Sequence, residues 1–430
     1  MVGICTCYIS LVYSLEMYLS LKTESFAKLF FIISCTGLLL YVLLAIYTFH
    51  TAFTTMFRLQ DYQEYIQGLP NPDERVRNKY KELRYILLWI NVNSSLNLLG
   101  EGQDPLVEHK CSHTNCYLTT NKYLINDDYI NFDAIIFDAN DLHNWQKMNF
   151  PETRLLHQKY IFYSSNSSDN VPICNFNADN YFNWTWTYRL DSDIVSPFIE
   201  VKDIKGNVVA PKSSVKWDTE LRNFTEDEIK LLEGKKKAVA WIATKCKTRN
   251  DRLRFAKMLR AVLKENSLAF DIYGCGYLKC PDRECSRVVK DYYFYFAAED
   301  SNADDYVTQE VITAYDNYAV PIVLGGANYN KFLPIGSYIN TANNSIDKLV
   351  AVLDNIIKNP KIYYDFHRWR KHYVINKADN FKGICEVCEY LNDERKFGTV
   401  SVKEDFRKWW YSGVIPLLKR CIPKREVLKF

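Results

Sequence analysis

Short apolar runs alternate with amphipathic helical patterns along the second half of this chain, and this alternation constrains the fold more than any other feature. The runs are branched or aromatic and are bounded by polar turns, at 238–244, 268–274, 292–299 and 321–325. The residue spacing predicts helices from about residue 250, at 304–317 and at 346–357. Because strands that alternate with helices form parallel sheets, this block predicts a parallel α/β lobe.

A second set of strand-like runs precedes this block. These runs are RYILLWINV (84–92), FDAIIFD (132–138) and KYIFYS (159–164). The chain has 430 residues, which is too long for one ordinary hydrophobic core. We therefore predict an α/β protein with two parallel-sheet lobes, separated near the charged run at 226–237. A ligand cleft is expected between the lobes, at the carboxyl ends of the strands.

Composition excludes several other classes of protein. With 48% apolar, 15% aromatic and 24% charged residues, long disorder, coiled coils and collagen-like chains are ruled out. The 54 Lys and Arg residues almost cancel the 51 Asp and Glu residues, which leaves a formal charge of +3. Such a balance gives no reason to expect nucleic acid as a partner.

One segment near the amino terminus predicts a membrane anchor. Leu29 to Phe49 are twenty-one consecutive residues without a charge. At about 1.5 Å per residue, a helix of this length spans the roughly 30 Å of a bilayer's hydrocarbon core. A buried helix of a soluble protein is the alternative interpretation. A cleaved signal peptide is disfavoured, because its apolar stretch should be only about 7–15 residues long.

The residues around this segment predict a type II topology with a luminal main body. Lys22 and Lys28 precede the span and Arg58 follows it, so the amino end should stay cytosolic. The predicted organisation is a cytosolic tail at 1–28, a transmembrane signal-anchor at 29–49 and a stem at 50–83. Met17 is an alternative start. Five Asn-x-Ser/Thr glycosylation sequons follow the span, at Asn93, Asn166, Asn183, Asn223 and Asn343.

Ten of the thirteen cysteines also follow the span. Cys385 and Cys388 have the spacing of half a zinc site, but no second pair completes such a site. In an oxidising lumen, disulfides are the better interpretation.

Two local features have residue types that suit chemistry. Asp191 and Asp193 form an Asp-x-Asp pattern that either holds a divalent metal such as Mn²⁺ or forms a turn after an aromatic strand. The segment TKCKTRNDR (244–252) carries four cations where a strand leads into a helix. Cations and helix-end N–H groups at such a point bind phosphate, although a solvated basic loop has the same pattern.

The segment DDYVTQEVITAYDNYAVPIVLGGANYNKFLPIGSYIN (304–340) resembles the donor-binding signature of the alpha-1,3-fucosyltransferases. The resemblance continues in AWIATKCKTRNDRLRFAKML, DIYGCGYLKC, NWTWTYRLDSDI and the Cys385/Cys388 pair, and covers about residues 84–390. It implies two Rossmann-like lobes (a glycosyltransferase-B fold) in a type II protein of the Golgi cisterna membrane. Such enzymes transfer L-fucose from GDP-fucose, with inversion, to GlcNAc of N-glycans or lactosamine-type chains. No metal cofactor is implied, so Mn²⁺ is not expected.

The resemblance also assigns lobes and residues. It implies an acceptor lobe at 84–225, a GDP-fucose-binding lobe at 236–375 and a return segment with disulfide cysteines at 376–430. The donor-binding residues it implies are Arg252, Glu299, Ser301, Asp305, Tyr306, Gln309 and Glu310. The acceptor-lobe residues it implies are Tyr188, Arg189, Asp191 and Asp193. Because a bond between Cys385 and Cys388 would be strained, we expect them to pair with Cys111 and Cys116.

Several positions depart from the family pattern. The family's catalytic base, a Glu, corresponds to Asn166, which has no titratable carboxylate. The family's Phe-Glu-Asn-Ser corresponds to Ala298, Glu299, Asp300 and Ser301. Gln309 replaces a Glu that holds the ribose, Glu310 replaces a Lys that faces the phosphates, and Asp138 replaces a His.

These departures leave two hypotheses open. In the first, the chain is a working fucosyltransferase that uses another base, such as Asp138 or Asp169, and another cation, such as Lys245 or Lys247. In the second, it is a weak or inactive member that acts as a Golgi glycan-binding or assembly protein.

Overall fold

The computed structural model describes residues 36–49, 83–145, 149–174, 176–220, 223–281, 284–343 and 345–411. The chain divides into two units, Met1–Glu82 and Leu83–Phe430. The predicted tail, the stem up to residue 82, the first part of the predicted anchor and the end of the return segment lie outside the described residues. Within the predicted anchor, residues 36–49 are helical, and the large apolar side chains of this helix are exposed. Among the described helices, none combines the length and the apolar character needed to cross a membrane.

The strands of the larger unit form where apolar, branched and aromatic residues cluster. In chain order they are β1 (Arg84–Trp89), β2 (Cys116–Thr119), β3 (Ala134–Asp138), β4 (Lys159–Ser164), β5 (Trp184–Thr187), β6 (Ile194–Val195), β7 (Ile199–Asp203), β8 (Val208–Ala210), β9 (Lys237–Ile242), β10 (Phe270–Tyr273), β11 (Tyr292–Ala298), β12 (Val320–Leu324), β13 (Ile339–Asn340) and β14 (Tyr373–Lys377). Each strand-like run in the sequence overlaps one of these strands, and β9 and β12 begin one residue before their runs.

The α-helices of this unit are α1 (Asp104–Glu108), α2 (Ala139–Leu142), α3 (Glu226–Glu233), α4 (Arg252–Glu265), α5 (Glu310–Asp316), α6 (Ile346–Lys358), α7 (Pro360–Asp365), α8 (Gly383–Asn392), α9 (Glu394–Gly398) and α10 (Phe406–Trp410). The helix predicted at 304–317 begins only at Glu310. The residues before it form a loop, because the Thr308 amide donates to the Glu299 carboxylate at 2.8 Å and Asp305 adopts a positive φ of 55°.

Two parallel sheets confirm the predicted α/β class. The first has the order β2-β1-β3-β4-β5-β6 and the second has the order β10-β9-β11-β12-β13. Every neighbouring pair in both sheets is parallel. All six residues of β4 are buried, as expected for a strand with both faces covered.

A small antiparallel sheet of order β14-β7-β8 changes where the first lobe ends. Ile199, Val201 and Ala210 pack into the core of the second lobe. The packing therefore changes near residue 198, well before the predicted lobe boundary at 225. The reason is that β7 pairs with β14, whose Tyr373 and Ile375 pack into the same second-lobe core.

The end of the chain returns to the first lobe. Ile384, Val387 and Leu391 of α8 pack among the first-lobe strands. Disulfides join Cys111 to Cys385 and Cys116 to Cys388, so both predicted cysteine partners are confirmed. Two further disulfides, Cys246–Cys275 and Cys280–Cys285, lie in the second lobe.

Candidate functional site

A cavity of about 540 Å³ lies between the two lobes. Its lining residues all come from segments that follow strands, and these segments are loops except for Asn140, which lies in α2. The first lobe contributes Asn140, Asn166, Asn170 and Val171, and the second contributes Lys245, Lys247, Thr248, Arg249 and Asp300. Since β3, β4, β9 and β11 end just before these loops, the cavity lies at the carboxyl ends of both sheets, where the sequence predicted a cleft.

The basic segment after β9 forms the cationic wall of this cavity. Lys245, Lys247 and Arg249 are exposed and line it. The disulfide between Cys246 and Cys275 fixes the middle of this segment to the turn that follows β10. The disulfide therefore anchors the segment beside the cavity, where its cations can bind an anion.

Arg252 at the start of α4 occupies a different environment. Its side chain is buried, its guanidinium lies 5.4 Å from the centre of the Trp241 ring, and it donates to the Ala298 carbonyl. Arg252 Nη1 also lies 3.9 Å from Glu310 Oε1. Arg252 therefore lies beneath the cavity wall and interacts with a carboxylate of its own lobe.

Glu310 is held by two groups of the second lobe. Its carboxylate accepts a hydrogen bond from the Tyr295 hydroxyl at 3.2 Å and pairs with Arg252. Burial raises the pKa of Glu310, and the charge of Arg252 opposes that shift. The neighbouring Gln309 is exposed, and neither residue lines the cavity.

Glu299 organises the loop that leads into α5. Its two carboxylate oxygens accept from the backbone amide and the hydroxyl of Thr308, both at 2.8 Å. Burial raises the pKa of Glu299 to about 8, although the Thr308 hydrogen bonds lower it.

The loop after β12 packs closely against the loop after β11. A Cβ at Gly326 would lie 2.1 Å from the Asn302 carbonyl oxygen, so only glycine lets these two loops approach each other.

Asn166, to which the resemblance assigns the position of a catalytic base, is a half-buried cavity residue. Its Nδ2 donates to Asn140 Oδ1 at 2.9 Å, and Asn140 Nδ2 donates to Asp138 Oδ1 at 2.9 Å. Both amides can hydrogen-bond a substrate hydroxyl, but neither takes up its proton at neutral pH.

Asp138 does not fit the role of an alternative base. It is fully buried, it accepts from the Asn140 amide at the start of α2, and it accepts from the Ser94 hydroxyl at 2.5 Å. Burial raises the pKa of Asp138. The carboxylate therefore stabilises a helix start behind the cavity and does not line it.

Asp169 and Ser301 also differ from their predicted roles. Both side chains are buried, and Ser301 Oγ donates to Asp169 Oδ2 at 3.0 Å. Ser301 Oγ also accepts from the Ala303 amide at 3.1 Å. Their hydrogen bond joins the two lobes, and neither residue lines the cavity.

Asp191, the first aspartate of the Asp-x-Asp turn, lines a second cavity of about 340 Å³. Its lining includes Arg189, Asp191 and Asp305. The Arg189 guanidinium binds Asp191 through two hydrogen bonds of 2.8 Å each. Although burial raises the pKa of Asp191, these interactions with Arg189 hold it below its usual value.

Asp193 binds a different partner. Its carboxylate accepts from the backbone amide and the hydroxyl of Thr185, at 2.8 and 2.7 Å. Asp191 and Asp193 thus bind different protein groups, as the turn interpretation expects. Among the described residues, no group of three or more His, Cys, Asp or Glu side chains is arranged to hold a metal.

Two tyrosines that were predicted to be site residues lie in the core instead. Tyr188 and Tyr306 are buried, and their rings meet edge to face at a centroid distance of 5.0 Å. They pack the first lobe against the loop before α5 and line neither cavity.

The sequons fall in different environments. Asn93 and Asn223 are exposed, and Asn166 is half-buried. Asn183 is buried, with its Nδ2 donating to the Ser401 carbonyl at 2.8 Å and its Oδ1 accepting from the Tyr160 amide at 2.7 Å. The glycan predicted on Asn183 is therefore inconsistent with the fold, since its amide nitrogen lies inside the protein. The side chain of Asn343 is outside the described parts.

Asp300 is a charged cavity residue to which the sequence analysis gave no role. Its Oδ2 accepts from Lys245 Nζ at 2.6 Å and its Oδ1 accepts from Asn170 Nδ2 at 2.8 Å. The available signal was an Asp in place of the Asn of the family's Phe-Glu-Asn-Ser motif.

Two parallel-sheet lobes with a cationic cavity at the carboxyl ends of their strands form the kind of cleft in which a phosphate-bearing ligand binds. The family model for the N-terminal domain of fucosyltransferases matches residues 81–199. The model for the C-terminal domain of glycosyltransferase family 10 (fucosyltransferase) matches residues 232–409. The chain belongs to glycosyltransferase family 10, the fucosyltransferases.

Curated relatives agree with this membership. The chain is 29% identical to Alpha-(1,3)-fucosyltransferase C of Drosophila melanogaster over 342 residues, covering 78% of this chain and 76% of the relative. It is 28% identical to a human 4-galactosyl-N-acetylglucosaminide 3-alpha-L-fucosyltransferase over 311 residues, covering 69% and 75%. A crystal structure of an alpha1,3-fucosyltransferase with GDP-fucose matches with a TM-score of 0.44 and 13% identity, covering 75% of this chain and 92% of that one.

Proposed function

We propose that this chain transfers L-fucose from GDP-fucose to GlcNAc of glycoprotein glycans, forming an α-1,3 linkage with inversion. The observation that carries the proposal is the cavity between the lobes, where Lys245, Lys247 and Arg249 face the first-lobe wall. A diphosphate is the part of a nucleotide sugar that such cations neutralise. The names of the relatives support the choice of fucose and of an N-acetylglucosaminide acceptor.

The geometry suggests how the two substrates share the cavity. Lys247 and Arg249 would bind the diphosphate from the second lobe. Asn166 and Asn170 would hydrogen-bond acceptor hydroxyls from the first lobe. With the donor and acceptor on opposite walls, the acceptor oxygen approaches the anomeric carbon from the face opposite GDP, and this approach produces inversion.

The proposed enzyme needs no metal cofactor. The cations of the basic segment supply the positive charge that a bound metal would otherwise supply to the leaving diphosphate. Excess EDTA should therefore leave the transfer rate unchanged. A loss of transfer that Mn²⁺ restores would contradict this part of the proposal.

We further propose that the protein is a single-pass type II protein of the Golgi cisterna membrane. The uncharged segment 29–49, of which 36–49 is helical, supports an anchor. The disulfides of the described residues support an oxidising lumen. Endoglycosidase treatment of microsomes should lower the apparent mass, whereas digestion of the main body by protease added outside the vesicles would contradict this topology.

A weak or inactive Golgi glycan-binding protein is the second candidate. It is favoured by the amide of Asn166 at the family's base position and by the pairing of Arg252 with Glu310. The purified full-length protein should be incubated with GDP-fucose and terminal GlcNAc or lactosamine acceptors, with GDP-mannose as the control donor. A linkage-resolved fucosylated product supports transfer.

A thermal-shift measurement separates the two candidates. Donor at about a hundred times its dissociation constant should stabilise the protein by about 2.7 kcal/mol. Stabilisation by GDP-fucose without product on any acceptor would favour the second candidate. If neither stabilisation nor product is observed, the proposed donor is wrong.

A further inference from the structure

Asp300 is the one carboxylate among the residues that line the cavity between the lobes, within the described parts of the chain. The other polar side chains that line the cavity carry amides, a hydroxyl or positive charges, and none of these groups accepts a proton readily at neutral pH. Transfer to an acceptor hydroxyl needs a group that takes up its proton, and that group must lie within hydrogen-bond reach of the hydroxyl. From this geometry we propose that Asp300 is the catalytic base of the reaction, an inference that rests on the proposed fucosyl transfer.

The position of Asp300 suits this role. It follows β11 in the second lobe, and its Oδ1 accepts from Asn170 Nδ2 across the cleft at 2.8 Å. The hydrogen bond of this carboxylate therefore crosses the cleft at the point where a donor bound to one wall and an acceptor bound to the other would meet. A hydroxyl that replaced Asn170 as hydrogen-bond donor would lie in reach of the same oxygen.

The carboxylate keeps room for a substrate. An ionised carboxylate offers about four lone-pair sites, and the bonds from Lys245 and Asn170 use two of them. The Lys245 ammonium, 2.6 Å from Oδ2, balances the negative charge beside the site of the donor diphosphate. Asp138 and Asp169 are 0% and 1% exposed and do not line the cavity, whereas Asp300 is 8% exposed and does.

The chemical step balances with these groups alone. The acceptor hydroxyl gives its proton to a carboxylate oxygen of Asp300 as its own oxygen forms a bond to the anomeric carbon of fucose. The bond between that carbon and the diphosphate oxygen breaks, and its electron pair leaves with GDP. Lys247 and Arg249 face the added negative charge on the leaving group.

The test compares substitutions in the purified full-length protein with GDP-fucose and an acceptor that the wild-type protein fucosylates. Asp300→Asn keeps the shape of the side chain and removes the base. It should lower kcat by about 10²–10⁴-fold, while GDP-fucose binds no more weakly than it does to the wild-type protein. Asp365→Asn is the matched control, because Asp365 is exposed and pairs with Arg368 on the surface.

A second variant moves the carboxylate across the cavity. Asn166 lines the opposite wall, so Asn166→Glu combined with Asp300→Asn should recover at least tenfold of the lost kcat. Asn166→Gln combined with Asp300→Asn should recover none, although it removes any glycan from Asn166.

Three results would overturn the inference. The first is an Asp300→Asn variant that keeps a third or more of the wild-type kcat. The second is a loss of GDP-fucose binding that equals the loss of kcat and is not repaired by Asn166→Glu, since Asp300 would then only position Lys245. The third is a wild-type protein that transfers no fucose to any acceptor. That result refutes the proposed function itself, and it is recognised before any variant is made.

Discussion

The two disulfides that join the return segment to the first lobe should stabilise the protein in a strongly non-additive way. Cys111–Cys385 closes a loop with a sequence separation of 274, and Cys116–Cys388 closes one of 272. In the chain-entropy model, either disulfide alone lowers the entropy of the unfolded chain enough to stabilise the fold by about 5.5 kcal/mol. However, the loops that the two disulfides close share almost all of their residues.

Once one disulfide is present, the other closes only a small ring. The ring consists of the five-residue step from Cys111 to Cys116 and the three-residue step from Cys385 to Cys388. The same model gives about 2.5 kcal/mol for a ring of about eight residues. Loss of either disulfide should thus cost about 2.5 kcal/mol and loss of both about 8 kcal/mol, which leaves a coupling energy of about 3 kcal/mol.

The assay is urea unfolding of the purified protein under non-reducing conditions, followed by tryptophan fluorescence. Cys111→Ser with Cys385→Ser is the cleaner single removal, because both residues are half-buried. Cys116 and Cys388 are fully buried, so replacing them with Ala should cost about 1 kcal/mol more through lost packing. Peptide mapping should first verify the remaining disulfide.

Two outcomes would refute this reasoning. If each single removal already costs about 5.5 kcal/mol, the remaining disulfide does not constrain the unfolded chain. If the costs of the two removals simply add, the loops are independent and the nesting argument is wrong.

Three further predictions follow from the buried charges and the sequons. Burial raises the pKa of Glu299 from 4.5 to about 8, so the folded protein holds a proton there that the unfolded chain releases. Stability should therefore fall as pH rises through this interval, and Glu299→Gln should flatten the plot of Tm against pH. Glu310→Gln removes the carboxylate 3.9 Å from Arg252, so calorimetry should show GDP-fucose binding about tenfold more tightly. Unchanged affinity would mean that this charge does not reach the donor. Asn93→Gln should remove a glycan detectable by mass, whereas Asn183→Gln should leave the glycan mass unchanged, since Asn183 is buried.

The positions of the strands could be predicted from the sequence because they depend on local residue types. The run KYIFYS at 159–164 coincides with β4, and the run at 292–299 contains β11. The lobe boundary could not be predicted in the same way. Strand β7 belongs with the second lobe because it pairs with β14, and such a pairing across about 170 residues leaves no local pattern.

The cleft was predictable for a general reason. Parallel strands joined by helical crossovers bring their carboxyl ends to one edge of each sheet, and ligands of such folds bind there, so the loops after β4 and β9 were expected to line a cleft. The pairing of Cys111 and Cys116 with Cys385 and Cys388 was also predicted, because a bond between Cys385 and Cys388 would be strained.

The sequence alone therefore determined the α/β class, the cleft and the cationic segment, since hydrophobic pattern and charge are properties of neighbouring residues. Only the tertiary structure decided which polar groups face the cleft. Asp138, Asp169 and Asp300 are the same residue type after strands or in nearby loops, yet only Asp300 lines the cavity. The difference is made by hydrogen-bond partners such as Ser301, which lies 132 residues from Asp169 and occupies its carboxylate. A carboxylate's role depends on what the folded chain places beside it, and that partner is set by long-range packing that no local pattern records.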